Sequence, residues 1–438
     1  MLYKLSSILF FLIFLLSNPK VLSSGFLYPT TNFQDTSIVE KYGNLSVSGT
    51  QIVDQNGNPI ILRGMSLFWS QWMGRFYNAD CVKWLKDDWK CTVIRAAMGV
   101  ESGGYLQNPQ AEMNKVKTVI NACINAGIYV IVDWHDHNAE NHQPQAVAFF
   151  KQIAQLYGNY PNIIYEIYNE PVHVSWTNVV KPYSVALIDS IRSIDPDNLI
   201  LVGSPTWSQD VDTASRNSID RTNIAYTLHF YAATHKQALR NKAIIAMNNG
   251  IALFVSEWGT CEATGSGVLD YAEVETWLNF METKKISWCN WSVCDKDETS
   301  AALKPGAGSN GGWPSTMLSP SGILIRDKII FYNDLTATDE GSSDQPNNFQ
   351  LYQNYPNPFN PNTTIEYELA NSGDVKIDVY DIQGIKIKTL VNNFKSSGKH
   401  LVSWNGKSDT GQSVASGVYF LNLCFENFNQ YKKAVLIN

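Results

Sequence analysis

Between residues 61 and 330, short apolar runs alternate with longer amphipathic stretches. The runs are Ile61–Met65, Thr92–Met98, Tyr129–Trp134, Ile163–Tyr168, Leu199–Val202, Ile224–Phe230, Leu253–Ser256 and Ile286–Trp291. Each has the length of a buried strand, and helical periodicity fills the gaps, as in Ala111–Asn125, Ala146–Tyr157, Val179–Ile194, His235–Asn248 and Ala272–Lys284. Gly127 and Gly250 follow two of these helices, where left-handed caps are expected. Eight strand–helix units in about 270 residues predict an α/β fold, the TIM (β/α)8 barrel. A doubly wound sheet is the competing arrangement, but no glycine-rich phosphate fingerprint follows the first strand. Upstream, Leu45–Asp54 alternates as one strand, and Asn56-Gly57 forms a hairpin turn into Pro59–Leu62.

The texture changes after residue 333. Residues 334–348 are polar and aperiodic and read as a linker. Beyond them come short alternating runs at Thr364–Leu369, Val375–Tyr380, Lys386–Leu390, His400–Trp404, Val418–Leu423 and Lys432–Ile437. Turn residues separate them, which predicts a small C-terminal all-β Ig-like sandwich over residues 349–438. At the other end, residues 1–24 combine Lys4, the apolar run Ile8–Leu16 and small residues at Ser23-Ser24. That run is short for a bilayer, so a cleaved signal peptide is expected, with no membrane span in the mature chain.

A net charge of −7 without a basic stripe excludes nucleic acid as a partner. Seven Cys show no zinc-ligand spacing; the odd count leaves at least one unpaired, and no bridge is assigned. Thirteen Trp are a heavy aromatic load whose placement matters more.

Chemistry in a TIM barrel sits at the C-terminal ends of its strands. Those ends hold Trp69 and Trp72, Arg95, His135 and His137, Asn169 and Glu170, Trp207, His229 and Tyr231, Glu257, and Trp291 with Lys296. Six of the seven His lie between residues 135 and 235, on or near these loops. Two carboxylates delivered from different strands, in Asn169-Glu170-Pro171 and Ser256-Glu257-Trp258, are what glycosidic cleavage needs. Trp faces match the apolar face of a sugar ring, and Asn, His, Lys and Tyr match its hydroxyls. An Arg beside one carboxylate would hold it ionised, while the other must begin protonated.

Each of these residues also has a plainer reading. A single Glu after a strand is usually a solvated loop residue, and only the pair with its neighbours outweighs that. Trp134 alternates with site residues and is expected in packing. His135-Asp136-His137 is a conceivable metal pair, but no third ligand stands at a recognisable spacing, so no metal is expected. Trp207 and Trp291 are equally sugar platforms or caps on the barrel core. His173 and Trp176 are substrate contacts or ordinary loop residues.

The segments Leu62-Arg63-Gly64-Met65-Ser66, Asp133-Trp134-His135, Asn169-Glu170-Pro171, Thr206-Trp207-Ser208-Gln209-Asp210, Leu228-His229-Phe230-Tyr231, Ser256-Glu257-Trp258-Gly259 and Asn290-Trp291-Ser292 together resemble glycoside hydrolase family five, its endoglucanase subfamily two in particular. The resemblance covers residues 40–330. It implies a retaining double displacement on β-1,4-glucan, with Glu170 as acid/base and Glu257 as nucleophile. Arg95 and Tyr231 would steady Glu257, Asn169 would contact the 2-hydroxyl, and His135 and His229 would complete the cleft floor. Trp291 and Lys296 would bind the sugar before the scissile bond, with Trp69 and Trp207 farther along the cleft. One departure is Asn138, where many relatives carry a second consecutive His; it leaves the catalytic positions untouched.

In the tail, Leu351-Tyr352-Gln353-Asn354-Tyr355-Pro356-Asn357-Pro358-Phe359-Asn360-Pro361, Val379-Tyr380-Asp381 and Ala415-Ser416-Gly417-Val418-Tyr419-Phe420 resemble the type A sorting domain of the type IX secretion system. The alternative is a carbohydrate-binding module with Trp404 and Tyr419 as its platform. The expected division is therefore 1–24 signal peptide, 38–333 barrel, 334–348 linker and 349–438 sorting domain. The expected protein is a monomeric endo-β-1,4-glucanase (cellulase), secreted or held at the cell surface after passing through the periplasm. It needs no cofactor, and its partners are the glucan and the type IX machinery. A mannanase or mixed-linkage glucanase on the same barrel is one alternative. A catalytically dead glycan-binding protein is the other, and the presence of both glutamates argues against it.

Overall fold

A computed structural model describes residues 36–338, 349–381, 385–425 and 428–437. The signal-peptide segment and residues 339–348 of the expected linker lie outside the described residues. Two short strands come first, β1 (Ser46–Ser48) and β2 (Gln51–Val53). Eight strands then form a closed parallel barrel: β3 (Arg63–Leu67), β4 (Val93–Gly99), β5 (Tyr129–His135), β6 (Ile163–Glu166), β7 (Leu199–Val202), β8 (Ile224–Tyr231), β9 (Leu253–Gly259) and β10 (Trp288–Val293). Strand β10 pairs with β3 to close the ring. All eight expected strands are present, each shifted by at most a few residues.

The run Leu45–Asp54 is not one strand but a hairpin. Ser48 pairs with Gln51, and Gly49 takes φ 60° in the tight turn between them. Glycine carries no Cβ penalty there, which lets the chain reverse inside an otherwise alternating run. The Asn56-Gly57 turn is also formed, but only the single bridge Val53–Pro59 follows it. Asp54 Oδ1 holds that turn by accepting from the backbone N–H of Asn56 (2.8 Å) and Asn58 (2.9 Å). Leu45, Ile52, Ile60 and Leu62 join the inward residues Val93, Tyr129, Ile131, Ile164, Leu201 and Phe254 in one apolar cluster. A second, larger cluster lies between strands and helices and takes the alternate positions, Ile94, Ala96, Met98, Val130, Val132 and Trp134 among them. Trp134 packs on Phe149 and Tyr105, as its register predicts.

Gly127 and Gly250 both take positive φ after their helices. The last barrel helix runs Pro320–Thr338 and so enters the expected linker. No proline or glycine stands between Ile323 and Glu340 to stop it earlier.

Strands β11 (Phe349–Leu351), β12 (Thr363–Leu369), β13 (Gly373–Asp381), β14 (Lys386–Lys395), β15 (Gly398–Trp404), β16 (Gly417–Phe425) and β17 (Phe428–Leu436) make two antiparallel sheets, ordered β11-β12-β15 and β14-β13-β16-β17. Three-residue β11 is too short to show a period and went unread in the sequence. Trp404 is fully buried in the core of these sheets and Tyr419 nearly so. Trp404 Nε1 donates to Lys407 O and Tyr419 OH to Ala415 O, so neither ring is a surface platform for sugar. All seven Cys are free thiols, six of them buried. Among the described residues no helix is long and apolar enough to cross a membrane.

Candidate active site

Every barrel-strand residue except Tyr231 is buried, yet these strands carry Arg95, Asp133, Glu166 and Glu257. Charges so deep are tolerable only when paired and hydrogen-bonded. Arg95 does the pairing. Its Nε and Nη2 reach the two oxygens of Glu166 at 2.7 and 3.2 Å, and its Nη1 reaches Glu257 Oε2 at 2.8 Å. Nη2 also donates to Asn169 Oδ1 at 2.6 Å and lies 2.9 Å from Asp133 Oδ2. Asn169 Nδ2 is left buried with no protein partner.

Glu257 reaches this centre because β9 bulges. Thr227 pairs with Phe254 and His229 with Glu257, so β9 spends two residues against one on β8. The same excess appears against β10, between the pairs Val255–Trp288 and Trp258–Asn290. Strict alternation would put Ser256 and Glu257 on opposite faces; the bulge turns both inward. Tyr231 OH then donates to Glu257 Oε1 at 3.1 Å.

Glu170 follows β6. Its Oε1 lies 3.0 Å from His229 Nδ1 and its Oε2 3.2 Å from His137 Nε2. Facing oxygens of Glu170 and Glu257 lie within 4.8 Å of each other. His135 Nδ1 contacts Asp133 Oδ2 at 2.6 Å. Burial and the surrounding carboxylates push Asp133 up against the pull of Arg95, while burial and Arg95 push His135 down.

The charge states differ from the simple expectation of one Arg-lowered and one raised carboxylate. Burial and the Glu170 charge hold Glu257 above the usual carboxylate range despite Arg95. The reason is that one guanidinium is divided among Asp133, Glu166 and Glu257. Burial would raise Glu170, but hydrogen bonds from His137 and His229 outweigh it and bring the group down to about 2. Burial also opposes a charged His229, but the Glu166 carboxylate, 3.5 Å from its Nε2, and its hydrogen bond to Glu170 push it up to about 9. The proton expected on Glu170 therefore rests on His229, one hydrogen bond away.

Aromatic groups surround this centre. Trp291 is 4% exposed, stacks on His135 with ring centres 5.4 Å apart, and packs on Phe68. Lys296 Nζ lies over the Phe68 ring and pairs with Glu298 at 2.6 Å. Trp69 stands edge-on to His135 at 4.0 Å and tilts against Trp72 at 5.1 Å. Trp72, 55% exposed, is the more open of the two. Trp207 is 37% exposed and meets His173 edge-on. Trp176 is buried and donates to Asn217 O, which makes it a packing residue.

Trp207 is presented by an unusual turn. Thr206, Trp207 and Ser208 have φ of 58°, 53° and 55°, and none is glycine. Left-handed backbone costs such residues roughly 1–2 kcal/mol each. The turn is tied to the Glu170 segment by bonds that offset this: Thr206 N to Val172 O, Trp207 N to Pro171 O, and Ser208 Oγ to Asn169 O.

Arg95, His135, Asn169, Glu170, His229, Tyr231, Glu257, Trp69 and Trp291 thus meet in one connected cluster, and Trp207 joins it through the Glu170 segment, whereas Trp134, Trp176, Trp404 and Tyr419 do not. Sequence reasoning gave no role to Asp133, Glu166 or Ser256, and weighed His137, at its strand end, only as half of a metal pair. An acidic residue inside an apolar strand was the available signal for the first two. Two donor groups among the described residues are close enough to hold a metal ion, Glu101/Asp136/His142 and Glu170/His229/Glu257. Asp136 and His142 already bond each other at 2.7 Å, and both His229 nitrogens are engaged in the second group. His135 and His137 turn to different partners and form no metal pair.

Residues 53–297 match the family profile described as cellulase (glycosyl hydrolase family 5). Residues 353–438 match the secretion system C-terminal sorting domain. An endoglucanase of Clostridium saccharobutylicum is 48% identical over 300 residues, 68% of this chain and 67% of that protein. Endoglucanase Z of Dickeya dadantii is 54% identical over 261 residues, 57% of this chain and 61% of that one. The chain thus spans roughly two thirds of the length of these curated relatives. A solved structure from Cytophaga hutchinsonii is 54% identical with TM-score 0.68, covering 69% of this chain and 99% of that one. The catalytic domain of a Thermobifida fusca endoglucanase, solved as a variant with cellotetraose, is 34% identical with TM-score 0.65, covering 67% and 99%.

Proposed function

This chain belongs to glycosyl hydrolase family 5, and on that premise we propose that it is an exported endo-β-1,4-glucanase acting with retention. The observation that carries the mechanism is the Glu170–Glu257 approach, within 4.8 Å between facing oxygens. Retaining glycosidases hold their carboxyls about 5–5.5 Å apart, whereas inverting ones need about 6.5–9.5 Å for a water between them.

In the first step a Glu257 oxygen attacks the anomeric carbon and the glycosidic C–O bond breaks. The leaving oxygen takes a proton from Glu170, which draws it from His229 Nδ1 through their hydrogen bond and ends the step as a carboxylate. In the second step Glu170 takes a proton from water, the hydroxide attacks the anomeric carbon, and the bond to Glu257 breaks. Arg95 and Tyr231 each donate to a different oxygen of Glu257, so the ionised nucleophile is the hydrogen-bonded form. The unpartnered Asn169 Nδ2 is a ready donor to the 2-hydroxyl of the reacting sugar. Trp291, Trp69, Trp207, His135 and Lys296 supply apolar faces and polar ends for neighbouring sugars. The cellotetraose-bound relative supports a β-1,4-glucan as the substrate.

A panel of soluble β-1,4-glucan, mixed-linkage glucan, mannan and xylan tests this reading. The expected result is a rapid fall in viscosity of the β-1,4-glucan with few new reducing ends. Faster cleavage of mannan or mixed-linkage glucan would reassign the substrate. Binding without cleavage would make the protein a glycan-binding one.

The C-terminal sorting domain marks the chain for export to the surface or medium. We infer that the route is the type IX system, with residues 1–24 directing passage to the periplasm and residues 349–438 the outward step. A chain ended after Thr338 should keep kcat/KM on soluble glucan, since every site residue lies between Trp69 and Lys296. In a host with type IX machinery its activity should accumulate in the periplasmic fraction. Continued appearance in the medium would contradict the sorting role.

A further inference from the structure

Ser256 has no part in the reaction as written, yet its hydroxyl joins three groups of the site. Its Oγ donates to Glu166 Oε1 at 2.7 Å and lies 2.9 Å from His229 Nε2. Glu166 is fully buried and receives two donors from Arg95, which suits only an ionised carboxylate. A carboxylate accepts and cannot donate, so the single hydroxyl proton of Ser256 is committed to Glu166. Only lone pairs remain on Oγ, and His229 Nε2 must carry the hydrogen of their contact.

This decides what kind of proton Nδ1 holds. Nδ1 is 3.0 Å from Glu170 Oε1, so one proton lies between them. With Nε2–H fixed, that proton can pass to Glu170 and leave an ordinary neutral imidazole. In the other tautomer, giving up the Nδ1 proton would leave an imidazolate anion, which is far too basic to form here. We propose that Ser256 is the positioning residue that makes the catalytic proton deliverable, by accepting from His229 Nε2–H and so fixing the tautomer. This rests on Glu170 being the acid/base of the reaction above.

The β9 bulge is what allows it, since it turns Ser256 inward beside Glu257. The ionisable groups acting on His229 are Glu166 from β6, Glu170 beyond it and Glu257 from β9, with neutral His135 on β5 nearby. Arg95 pairs with two of those carboxylates, and His137 faces Glu170 from the other side. Together the carboxylates push His229 up to about 9 against its burial.

The test uses the full chain as wild type, Ser256→Ala and Ser256→Thr. Nitrogen-15 NMR of His229, above the pH at which the shared proton is lost, should show Nε2–H in the wild type. This measurement needs no variant to fold. Ser256→Ala should lower kcat/KM on a cello-oligosaccharide by roughly 10- to 100-fold, part of the 10²–10⁴ that general acid catalysis supplies. A dinitrophenyl cellobioside needs no leaving-group proton, and its bond-breaking step should change by less than about threefold. The alkaline limb of the oligosaccharide profile should move to lower pH, because imidazolium without its Nε2 acceptor loses its proton more easily. Ser256→Thr, which keeps the hydroxyl, should restore the wild-type ratio of the two substrates. An Nδ1–H tautomer in the wild type, or equal losses on both substrates in Ser256→Ala, would overturn the proposal. If Glu170→Ala also fails to separate the two substrates, the acid/base assignment is wrong. If Glu170→Ala separates them and Ser256→Ala does not, only the role of Ser256 fails.

Discussion

Glu257→Gln is expected to abolish turnover while leaving the barrel folded. The amide keeps the shape of the side chain and its place against Arg95 and Tyr231, but it cannot form the ester with the sugar. Removal of a covalent nucleophile elsewhere costs on the order of 10⁵-fold or more in kcat, and about 10⁵-fold corresponds to about 7 kcal/mol in the barrier. Stability should move little or upward. Arg95 is shared among three buried carboxylates, and removing one negative charge relieves their mutual repulsion. Hydrolysis of soluble glucan and a thermal melt on the same sample check both halves. A variant that lost activity together with several degrees of Tm would point to a structural role instead.

Glu170→Ala is expected to lose nearly all activity on polymer, by roughly 10²–10⁴-fold or more, because a sugar leaving group must be protonated. On an aryl glycoside with a good leaving group the first step needs no acid, so the glycosyl-enzyme should form and accumulate. The second step then lacks a base to activate water. Azide needs no deprotonation and fits the space vacated by the carboxyl, so added azide should restore turnover on the aryl substrate. The product should be the glycosyl azide of retained configuration, identified by proton NMR. An azide product of inverted configuration, or no rescue at all, would count against Glu170 as acid/base.

Much of this site was legible because a TIM barrel converts strand ends into site positions. Glu170, His229 and Trp291 could be placed by locating where each apolar run stops, whereas Arg95 lies within β4, third from its start. What escaped had physical reasons. Alternation along β9 would separate Ser256 from Glu257, and no residue type announces the bulge that brings them together. Glu166 and Asp133 lie within strands, where an apolar pattern drew attention away from the charges that Arg95 pairs. The left-handed turn at Thr206–Ser208 contains no glycine, so sequence carried no sign of how Trp207 is presented. Reversal at Gly49 was hidden by alternation that continued straight through it. The proton on His229 rather than Glu170 depends on distances that spacing along the chain does not encode.

The central claim is that Glu257 bonds covalently to the sugar with Glu170 as its partner. Its most direct test is to incubate the intact enzyme with a 2-deoxy-2-fluoro cellobioside bearing a good leaving group. The fluorine slows release of the intermediate, and peptide mass spectrometry then locates the attached sugar. The expected result is a single adduct on Glu257, formed as activity is lost and removed as activity returns in the presence of an acceptor sugar. An adduct on Glu170 or any other residue, or no adduct together with an inverted product, would contradict it.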